Sequence, residues 1–462
     1  MSKYDFDVLI VGSGPAGSKA AQTLAASDKK VAVVDFLFGG TCALRGCTPK
    51  KAMEAVSSTY WEARALEGFG FRQMSSGINW KALMAHKEKF TNLVPAATKK
   101  SFRASGITVL EGRAEFEDPH TLKVMHNDEK KGTRKYSADK IIVATGARPT
   151  PLGFEGADHL ITSEDFFELD QMPRRILFAG GGYIAFELAH IAAACGAAVT
   201  IISKEEAPLG AFDPELVQEL VKATFHKGID VRLGFEVERV SQEAGAFCVS
   251  TKRNGNGKEY TFETDLVVHA AGRKPMLDAL NLDAIKVSLN QSGGFPVNAY
   301  LQHKKHKHLY AIGDVLGKMP FTEIGLYEAS VVSHNILHPR SRRKVNYDGF
   351  PMVTFTYPKL AAVGNTEQQL KDKDIKYRVV EDSLYDHLTE RSANNAFAKY
   401  RVFVSEKNQQ LLGAHLIGIR ADEVINLFAI AMQKKLSADK LTELLLAYPT
   451  SGNLFPYMLS DS

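Results

Sequence analysis

The sequence predicts an α/β fold, and three observations carry that reading. An apolar run, Phe6-Asp7-Val8-Leu9-Ile10-Val11, leads straight into Gly12-Ser13-Gly14-Pro15-Ala16-Gly17 and an alanine-rich helical stretch at 18–26. The same order returns at Ile176-Leu177-Phe178-Ala179, Gly180-Gly181-Gly182-Tyr183-Ile184-Ala185 and a helical stretch at 186–195. Each half is completed by a second apolar strand, Val31-Ala32-Val33-Val34 in one and Val199-Thr200-Ile201-Ile202 in the other. A lone glycine fingerprint is a weak signal, but strand, glycine turn and helix N-terminus in sequence form a seat for a dinucleotide pyrophosphate. The reading is two Rossmann-like dinucleotide-binding domains.

In the first unit Gly12, Gly14 and Gly17 give the tight turn, the close backbone approach and the helix packing, and Pro15 and Ala16 open the helix. The second strand ends at Asp35, where an acid bonds the adenosine ribose hydroxyls. In the second unit Gly180 and Gly182 are kept and Ala185 stands at the third glycine position, a permitted variant. Its strand ends at Ser203-Lys204 instead of an acid, so Lys204 is placed to pair with the 2′-phosphate of NADP, with Glu205 and Glu206 close by. NADPH is the expected donor.

Between the two units lies Gly39-Gly40-Thr41-Cys42-Ala43-Leu44-Arg45-Gly46-Cys47-Thr48-Pro49-Lys50-Lys51, with four residues between its thiols. A purely structural disulfide is the bland alternative. The sequence runs from Met1-Ser2-Lys3 into the first strand without a secretory signal, so a reducing compartment and redox work are the expectation. Thr48 suits a helix cap and Pro49 a first turn, which would set Cys47 at the positive end of a helix dipole and favour its thiolate. Cys195, among alanines, and Cys248, in a strand pattern, read as small core residues.

The 462 residues, 45% hydrophobic, are too many for one core and imply about three domains. A formal charge of +4, with no sustained basic stripe interleaved with aromatics, implies neither DNA nor RNA as a partner. No apolar stretch is long enough to span a bilayer, and a cytoplasmic protein is expected. His303, His306 and His308 alternate with lysines that would repel a cation, so no metal is predicted. Residues 130–135 and 254–257 read as hairpin turns, and 52–65, 80–104 and 421–436 as helices, the last with Val424, Leu427, Phe428, Ala431 and Met432 on one face.

Three further segments complete a pattern: Ala144-Thr145-Gly146-Ala147-Arg148-Pro149, Ala270-Ala271-Gly272-Arg273-Lys274-Pro275, and Leu309-Tyr310-Ala311-Ile312-Gly313-Asp314. With Phe355-Thr356-Tyr357-Pro358 and Ala362-Val363-Gly364, they make nearly the whole chain resemble the flavoprotein pyridine nucleotide-disulfide oxidoreductases, the family of glutathione reductase, lipoamide dehydrogenase, trypanothione reductase and mercuric reductase. The resemblance implies an FAD-binding domain at 1–150, an NAD(P)-binding domain at 151–270, a central segment returning to the flavin at 271–340, and a C-terminal α+β dimerisation domain at 341–462 that makes a homodimer. FAD and NADPH are the implied cofactors. Gly40, Thr41, Lys51, Ala144, Thr145, Gly146, Gly272, Arg273, Gly313 and Asp314 would line the flavin and Ile184 the nicotinamide nucleotide. Asp314 would bond the ribityl chain, Lys50 and Glu187 match an ion pair near flavin N5, and Tyr183 matches an aromatic gate for the nicotinamide. Electrons would pass from NADPH through FAD to a Cys42–Cys47 disulfide, Cys47 facing the flavin and Cys42 attacking the acceptor.

The C-terminus departs from the family. The disulfide reductases carry a His-Pro-Thr there, with a Glu five residues after the His, whereas this chain has Tyr448-Pro449-Thr450 and Asn453. A phenol titrating near pH ~10 donates a proton but is a poor base at neutral pH. Gln22 stands where glutathione reductases place an arginine for the substrate carboxylate, which lowers the case for glutathione. Mercuric reductases also use a tyrosine near the C-terminus, yet this chain ends Met458-Leu459-Ser460-Asp461-Ser462 without their vicinal cysteine pair. The expected function is a glutathione reductase-like oxidoreductase acting on a disulfide or related oxidised thiol. Mercuric ion or quinone reduction is the alternative chemistry, and a redox-sensing flavoprotein without turnover is the alternative class.

Overall fold

The computed structural model describes residues 3–74, 76–243 and 245–460. Met1-Ser2 and Asp461-Ser462, used above at the two chain ends, lie outside the described residues. The chain divides into two compact units, residues 1–52, 85–151 and 272–346 in one and residues 53–84, 152–271 and 347–462 in the other. Residues 53–84, which the sequence placed in the first domain, therefore group with the second unit.

In the first unit Phe6–Val11 is flanked by Val31–Asp35 and Thr133–Val143, both parallel to it, with Val8 opposite Val31 and Val11 opposite Val143. Thr108–Asp118 adds in parallel beyond Val31–Asp35, and Leu309–Ala311 beyond Thr133–Val143. Thr121–His126 joins the two long strands as an antiparallel meander. Val8, Leu9, Ile10 and Val33 are fully buried, as a parallel strand covered on both faces must be. At the strand end Gly12 takes φ +109°, and a Cβ there would sit 2.2 Å from the Ala144 carbonyl oxygen, so the turn admits glycine alone. The helix Pro15–Ala25 follows, with Gly14 as N-cap and Pro15 in its first turn. It starts three residues earlier than the helical stretch read from sequence.

The second unit repeats the design. Its parallel sheet runs Asp230–Leu233, Ala198–Ser203, Arg175–Ala179, Leu266–His269, Ile161–Thr162. Gly180, at φ +137°, would place a Cβ 2.3 Å from the Ala270 carbonyl oxygen, and Gly182 caps the helix Tyr183–Ala194. The same unit holds a five-stranded antiparallel sheet ordered Pro351–Thr354, Lys359–Gly364, Leu411–Gly418, Lys399–Ser405, Tyr377–Ser383. The helix Ala421–Gln433 covers it with Val424, Ile425, Phe428, Ala429 and Ala431 buried. Leu427 and Met432, read as core, are only partly buried.

Two polar nodes tie this unit together. Arg401, nearly fully buried, donates to Asp213 at 2.8 Å, Glu381 at 2.6 Å and Glu367 at 3.1 Å. Lys227 lies with its ammonium 5.6 Å from the Trp61 ring and 5.0 Å from the Tyr357 ring, and burial pushes it down to about 7. Beside it His190 is fully enclosed; its Nδ1 accepts from the Tyr357 amide at 3.2 Å and its Nε2 meets the Thr224 hydroxyl at 3.0 Å. Burial, then the charge of Lys227, holds that imidazole well below its ordinary range.

The helix expected over 80–104 is two helices, Trp80–Thr91 and Val94–Ala104, because Pro95 can begin a helix but not continue one. The turn read at 254–257 falls between antiparallel strands, whereas the one read at 130–135 ends earlier, Thr133–Lys135 already pairing with Lys123–Met125.

Candidate active site

The thiols come together because the chain breaks between them. Cys42 lies on the short helix Gly40–Arg45 and Cys47 opens the helix Cys47–Ala65. On one continuous helix, residues five apart point about 140° away from each other. Gly46 separates the two helices, and a Cβ on it would lie 3.1 Å from the Thr41 carbonyl oxygen. Cys47 rather than Thr48 is the first helical residue, so the cap anticipated at Thr48 is instead the Gly46 carbonyl, which accepts from the Lys50 amide at 3.1 Å. Pro49 remains in the first turn, and the sulfur still sits at the positive end of a helix dipole.

Thr322, which the sequence reading passed over, holds both sulfurs. Its hydroxyl donates to Cys42 Sγ at 3.0 Å and lies 3.5 Å from Cys47 Sγ. Thr322 is itself the first residue of the 16-residue helix Thr322–Leu337, so a second helix N-terminus faces the pair. Both cysteines are free thiols here. The Cys42 proton is strongly retained: its hydrogen bond to Cys47 comes first, then burial, then the negative charge that Cys47 develops, against the opposing pull of Thr322. Cys47 is exposed and Cys42 half-buried.

Around the thiols the glycine loop is fixed by a network in which Asp35, read as the ribose acid, also holds Ser13. Asp35 Oδ2 accepts from both the amide and the hydroxyl of Ser13 at 2.7 Å, and Oδ1 from the Leu37 amide at 3.2 Å. The Ser13 hydroxyl accepts in turn from the Gly39 amide at 3.0 Å, which ties the loop to the start of the cysteine segment. Gly14 and Gly40 meet backbone to backbone, a Cβ on Gly40 falling 2.4 Å from Gly14 Cα. Gly313 is fixed by the buried Glu328, whose carboxylate accepts its amide at 2.6 Å. Asp314 beside it has its carboxyl raised by burial, while Arg273 pulls the other way. Arg273 donates to the Ala147 carbonyl at 2.6 Å, and the Thr150 amide donates to the Gly272 carbonyl at 3.1 Å.

Several features fit FAD. The Thr145 hydroxyl is buried without a hydrogen-bond partner among the described residues. Gly146, at φ +73°, has open space where a Cβ would stand. The bare Gly12–Gly17 turn ends in a helix N-terminus. Lys50 and Lys51 lie in the opening turns of the cysteine helix.

In the second unit Glu187 is buried, its Oε1 accepting from the Phe355 amide at 2.7 Å. Tyr183, about a third exposed, and Ile184 begin the helix after Gly182. Lys204 lines a cavity of about 480 Å³ with Glu205, Glu206, Ala207, Glu236 and Asn254. Asn254 fixes that wall by donating to the Lys204 carbonyl at 2.7 Å. Tyr448 is 75% exposed, and Asn453 caps back to the Thr450 hydroxyl through its amide at 3.1 Å. Cys195 and Cys248 are half-buried, and burial lifts Cys195 to about 12, which leaves it inert. Among the described residues no group of three or more His, Cys, Asp or Glu side chains is arranged to hold a metal ion.

Two dinucleotide-type units and a thiol pair at a helix start define a flavoprotein thiol-disulfide oxidoreductase. The chain belongs to the pyridine nucleotide-disulphide oxidoreductases: residues 6–331 match that family, and residues 350–458 match its dimerisation domain. Glutathione reductase of Burkholderia cepacia is 30% identical, over 98% of each chain. Mercuric reductase of Bacillus cereus is also 30% identical, over 97% of this chain and 70% of its own length. The Cu(II) complex of the HOCl-induced flavoprotein disulfide reductase RclA from Escherichia coli superposes with a TM-score of 0.88 at 25% identity, covering 99% of both chains. The family uses FAD and NAD(P)H and acts on sulfur groups.

Proposed function

We propose that this FAD-dependent NAD(P)H oxidoreductase works as a homodimer, in the cytoplasm, on an oxidant whose reduction needs no proton from the enzyme. The acceptor class is an activated disulfide or a sulfenyl-type oxidised thiol with a good leaving group. The observation that carries this reading is the pairing of Tyr448 and Asn453, in place of a His and its carboxylate, with a Cys42 thiol whose proton is strongly retained. The matched dimerisation domain supports the homodimer.

When bound, FAD supplies a two-electron carrier between the nicotinamide donor and the thiol pair. Gly12, Gly14, Pro15, Ala16 and Gly17 would hold its pyrophosphate, Asp35 its ribose, and Thr41, Lys51, Ala144, Thr145, Gly146, Gly272, Arg273, Gly313 and Asp314 the remainder. Gly180, Gly182, Tyr183, Ile184 and Lys204 would hold the nicotinamide nucleotide, with NADPH as the donor that Lys204 favours. Lys50 and Glu187 keep the roles near the flavin that the resemblance gives them. Cys47 retains the first negative charge at its helix N-terminus; Cys42 loses its proton to solvent as it attacks the oxidised sulfur, forming a mixed disulfide while the bond from that sulfur to its leaving group breaks and the group departs as an anion, and Thr322 steadies whichever sulfur is charged. Tyr448 donates a hydrogen bond to the departing group.

A soft metal ion is a second reading, supported by the mercuric reductase relative and by the Cu(II) held in the solved RclA structure. A thiol pair accepts such an ion without any proton shuttle.

The deciding experiment is a steady-state panel with NADPH and NADH against glutathione disulfide, hypothiocyanite, Hg²⁺, Cu²⁺ and a quinone, repeated on Cys42→Ser. The expected result is a specificity constant near ~10⁶ M⁻¹s⁻¹ for the sulfenyl-type oxidant, at least tenfold lower values for glutathione disulfide, and loss of both in the variant. Full activity of Cys42→Ser toward its best acceptor would overturn the reading in favour of direct flavin chemistry. Absence of turnover with every acceptor would leave a redox sensor.

A further inference from the structure

We propose that the second unit carries a covalent capture site for small uncharged aldehydes, in which the Lys227 amine forms a Schiff base and the Tyr357 hydroxyl relays the proton. Lys227 is the C-cap of the helix Pro214–His226. Its Nζ donates to the Ala223 carbonyl at 3.5 Å and lies 5.6 Å from the Trp61 ring and 5.0 Å from the Tyr357 ring. Both rings are buried, whereas Lys227 is half-buried and keeps part of its surface open to solvent. A small molecule therefore has a way to the amine.

The neighbouring polar groups are already taken. Trp61 Nε1 donates to the His190 carbonyl at 3.1 Å, which also accepts the Ser57 hydroxyl at 3.3 Å. Both ring nitrogens of His190 are engaged, one by the Tyr357 amide and the other by the Thr224 hydroxyl. His226, the residue before Lys227, sets its ring 5.8 Å from that of Phe397. Glu62 pairs with Arg420 at 3.3 Å and Glu54 with Lys359 at 3.7 Å. Glu390 accepts from the Asn395 side chain at 2.7 Å and the Ile419 amide at 3.2 Å. Among the described residues Lys227 has no carboxylate at ion-pair distance, and the Tyr357 hydroxyl, on a side chain 4% exposed, has no hydrogen-bond partner. An amine without a counter-charge and a buried phenol without an acceptor share one aromatic ring, and an unsatisfied buried hydroxyl calls for an explanation.

A lysine desolvated against apolar walls is the kind that condenses with carbonyl compounds. Burial, which brings Lys227 down to about 7, leaves about a thousandfold more free amine near neutrality than an ordinary lysine has. The weaker nucleophilicity of a less basic amine takes back only part of that gain. Tyr357 keeps its proton, raised first by burial and then by the charges of Glu62 and Glu390, with Arg420 opposing. The amine lone pair attacks the aldehyde carbon, the C–N bond forms, and the carbonyl π pair moves to oxygen. Tyr357 gives that oxygen its proton and takes one from nitrogen. A second relay carries the remaining nitrogen proton to the new hydroxyl, which leaves as water while the C=N bond closes. Amine and aldehyde become imine and water, with no oxidation or reduction and the phenol restored. The imine is neutral, as a site that penalises charge requires. An anionic carbonyl compound, or a carbamate, would bury a negative charge at a helix C-terminus, beside the acid Glu390, so uncharged aldehydes are the class that fits.

The test treats the FAD-loaded protein with butanal and, in a separate arm, with glyoxylate, reduces the imines with cyanoborohydride, and maps the modified lysines by peptide mass spectrometry. At about pH 7 butanal should label Lys227 at least tenfold faster than any other lysine of the chain. Its rate should level off above about pH 8, while the rates of the other lysines keep climbing. Glyoxylate should show no preference for Lys227 over the surface lysines. Tyr357→Phe, which removes the hydroxyl and keeps the ring, should slow labelling of Lys227 at least fivefold and leave the other lysines unchanged. Lys227→Arg should abolish the change in tryptophan emission that butanal causes in the parent. Labelling of Lys227 no faster than that of surface lysines, a Tyr357→Phe variant labelled like the parent, or an equal preference with glyoxylate would each overturn the proposal.

Discussion

Cys42 and Thr322 carry the residue-scale argument. Removing the hydroxyl while keeping the shape, as in Thr322→Val, takes a hydrogen bond from both sulfurs. One such bond to a charged group is worth about 1.5 kcal/mol, so alkylation of the reduced pair by iodoacetamide at neutral pH should slow about tenfold. The retained proton on Cys42 sets a pH dependence as well. Because its thiol is raised, the reactive thiolate should increase about tenfold per pH unit without reaching a plateau between about pH 6 and about pH 9. Steady-state rates with an acceptor whose leaving group needs no proton should follow that climb. Rates with an ordinary disulfide, whose departing thiolate needs a proton, should be flatter, and Tyr448→His paired with Asn453→Glu should narrow the gap between the two profiles.

At the scale of elements, the two glycine turns separate the two halves of the chemistry. Gly12→Ala drives a Cβ to 2.2 Å from the Ala144 carbonyl oxygen, and Gly180→Ala does the same at 2.3 Å from Ala270. The first variant should purify without flavin absorbance. The second should keep its flavin yet be reduced by NAD(P)H at least a hundredfold more slowly in a stopped-flow trace, while dithionite still reduces it. These turns were legible in the sequence because their requirement is local: a strand end, a positive φ and a helix start occupy six consecutive residues. The cysteine pair was legible for the same reason. Thr322 was not, since it lies 280 residues from Cys42 and nothing in its own neighbourhood asks for a hydroxyl. Ser13 and Glu328 were hidden likewise, one inside a motif that tolerates any residue there, the other mid-helix. The break at residues 92–93 was missed because the apolar pattern continues through Pro95, whose effect is on backbone donors and not on hydropathy.

At the scale of the whole molecule, Arg401 and the C-terminal surface set stability and assembly. Arg401→Met leaves Asp213, fully buried, without its partner, a loss of about 3–5 kcal/mol. Calorimetry should show the melting temperature of the flavin-loaded protein falling by about 3–5 °C. Glu367, held at about 2 chiefly by Lys371, with Tyr377 and Arg401 adding to it, contributes stability that is complete above its ordinary 4.5 and disappears as pH drops toward 2. Acid unfolding of the variant should therefore begin at a higher pH. Leu445, wholly exposed, and Ile430, 56% exposed, lie in the stretch matched to dimerisation. Leu445→Glu should shift the protein toward monomer in sedimentation while leaving its flavin bound, and turnover should drop with the dimer fraction.

Lys227 gives the molecule an internal gauge of neutral acidity. Its ammonium, poised over Trp61 and Tyr357 and half-discharged near pH 7, makes the indole's electronic surroundings a function of proton concentration in the range where cells operate. The emission of Trp61 should trace a single sigmoid centred there, erased by Lys227→Met. The fold should also gain resistance to denaturant as the medium is made alkaline from about 7 to 10.5, since over that span only the unravelled chain keeps the lysine charged.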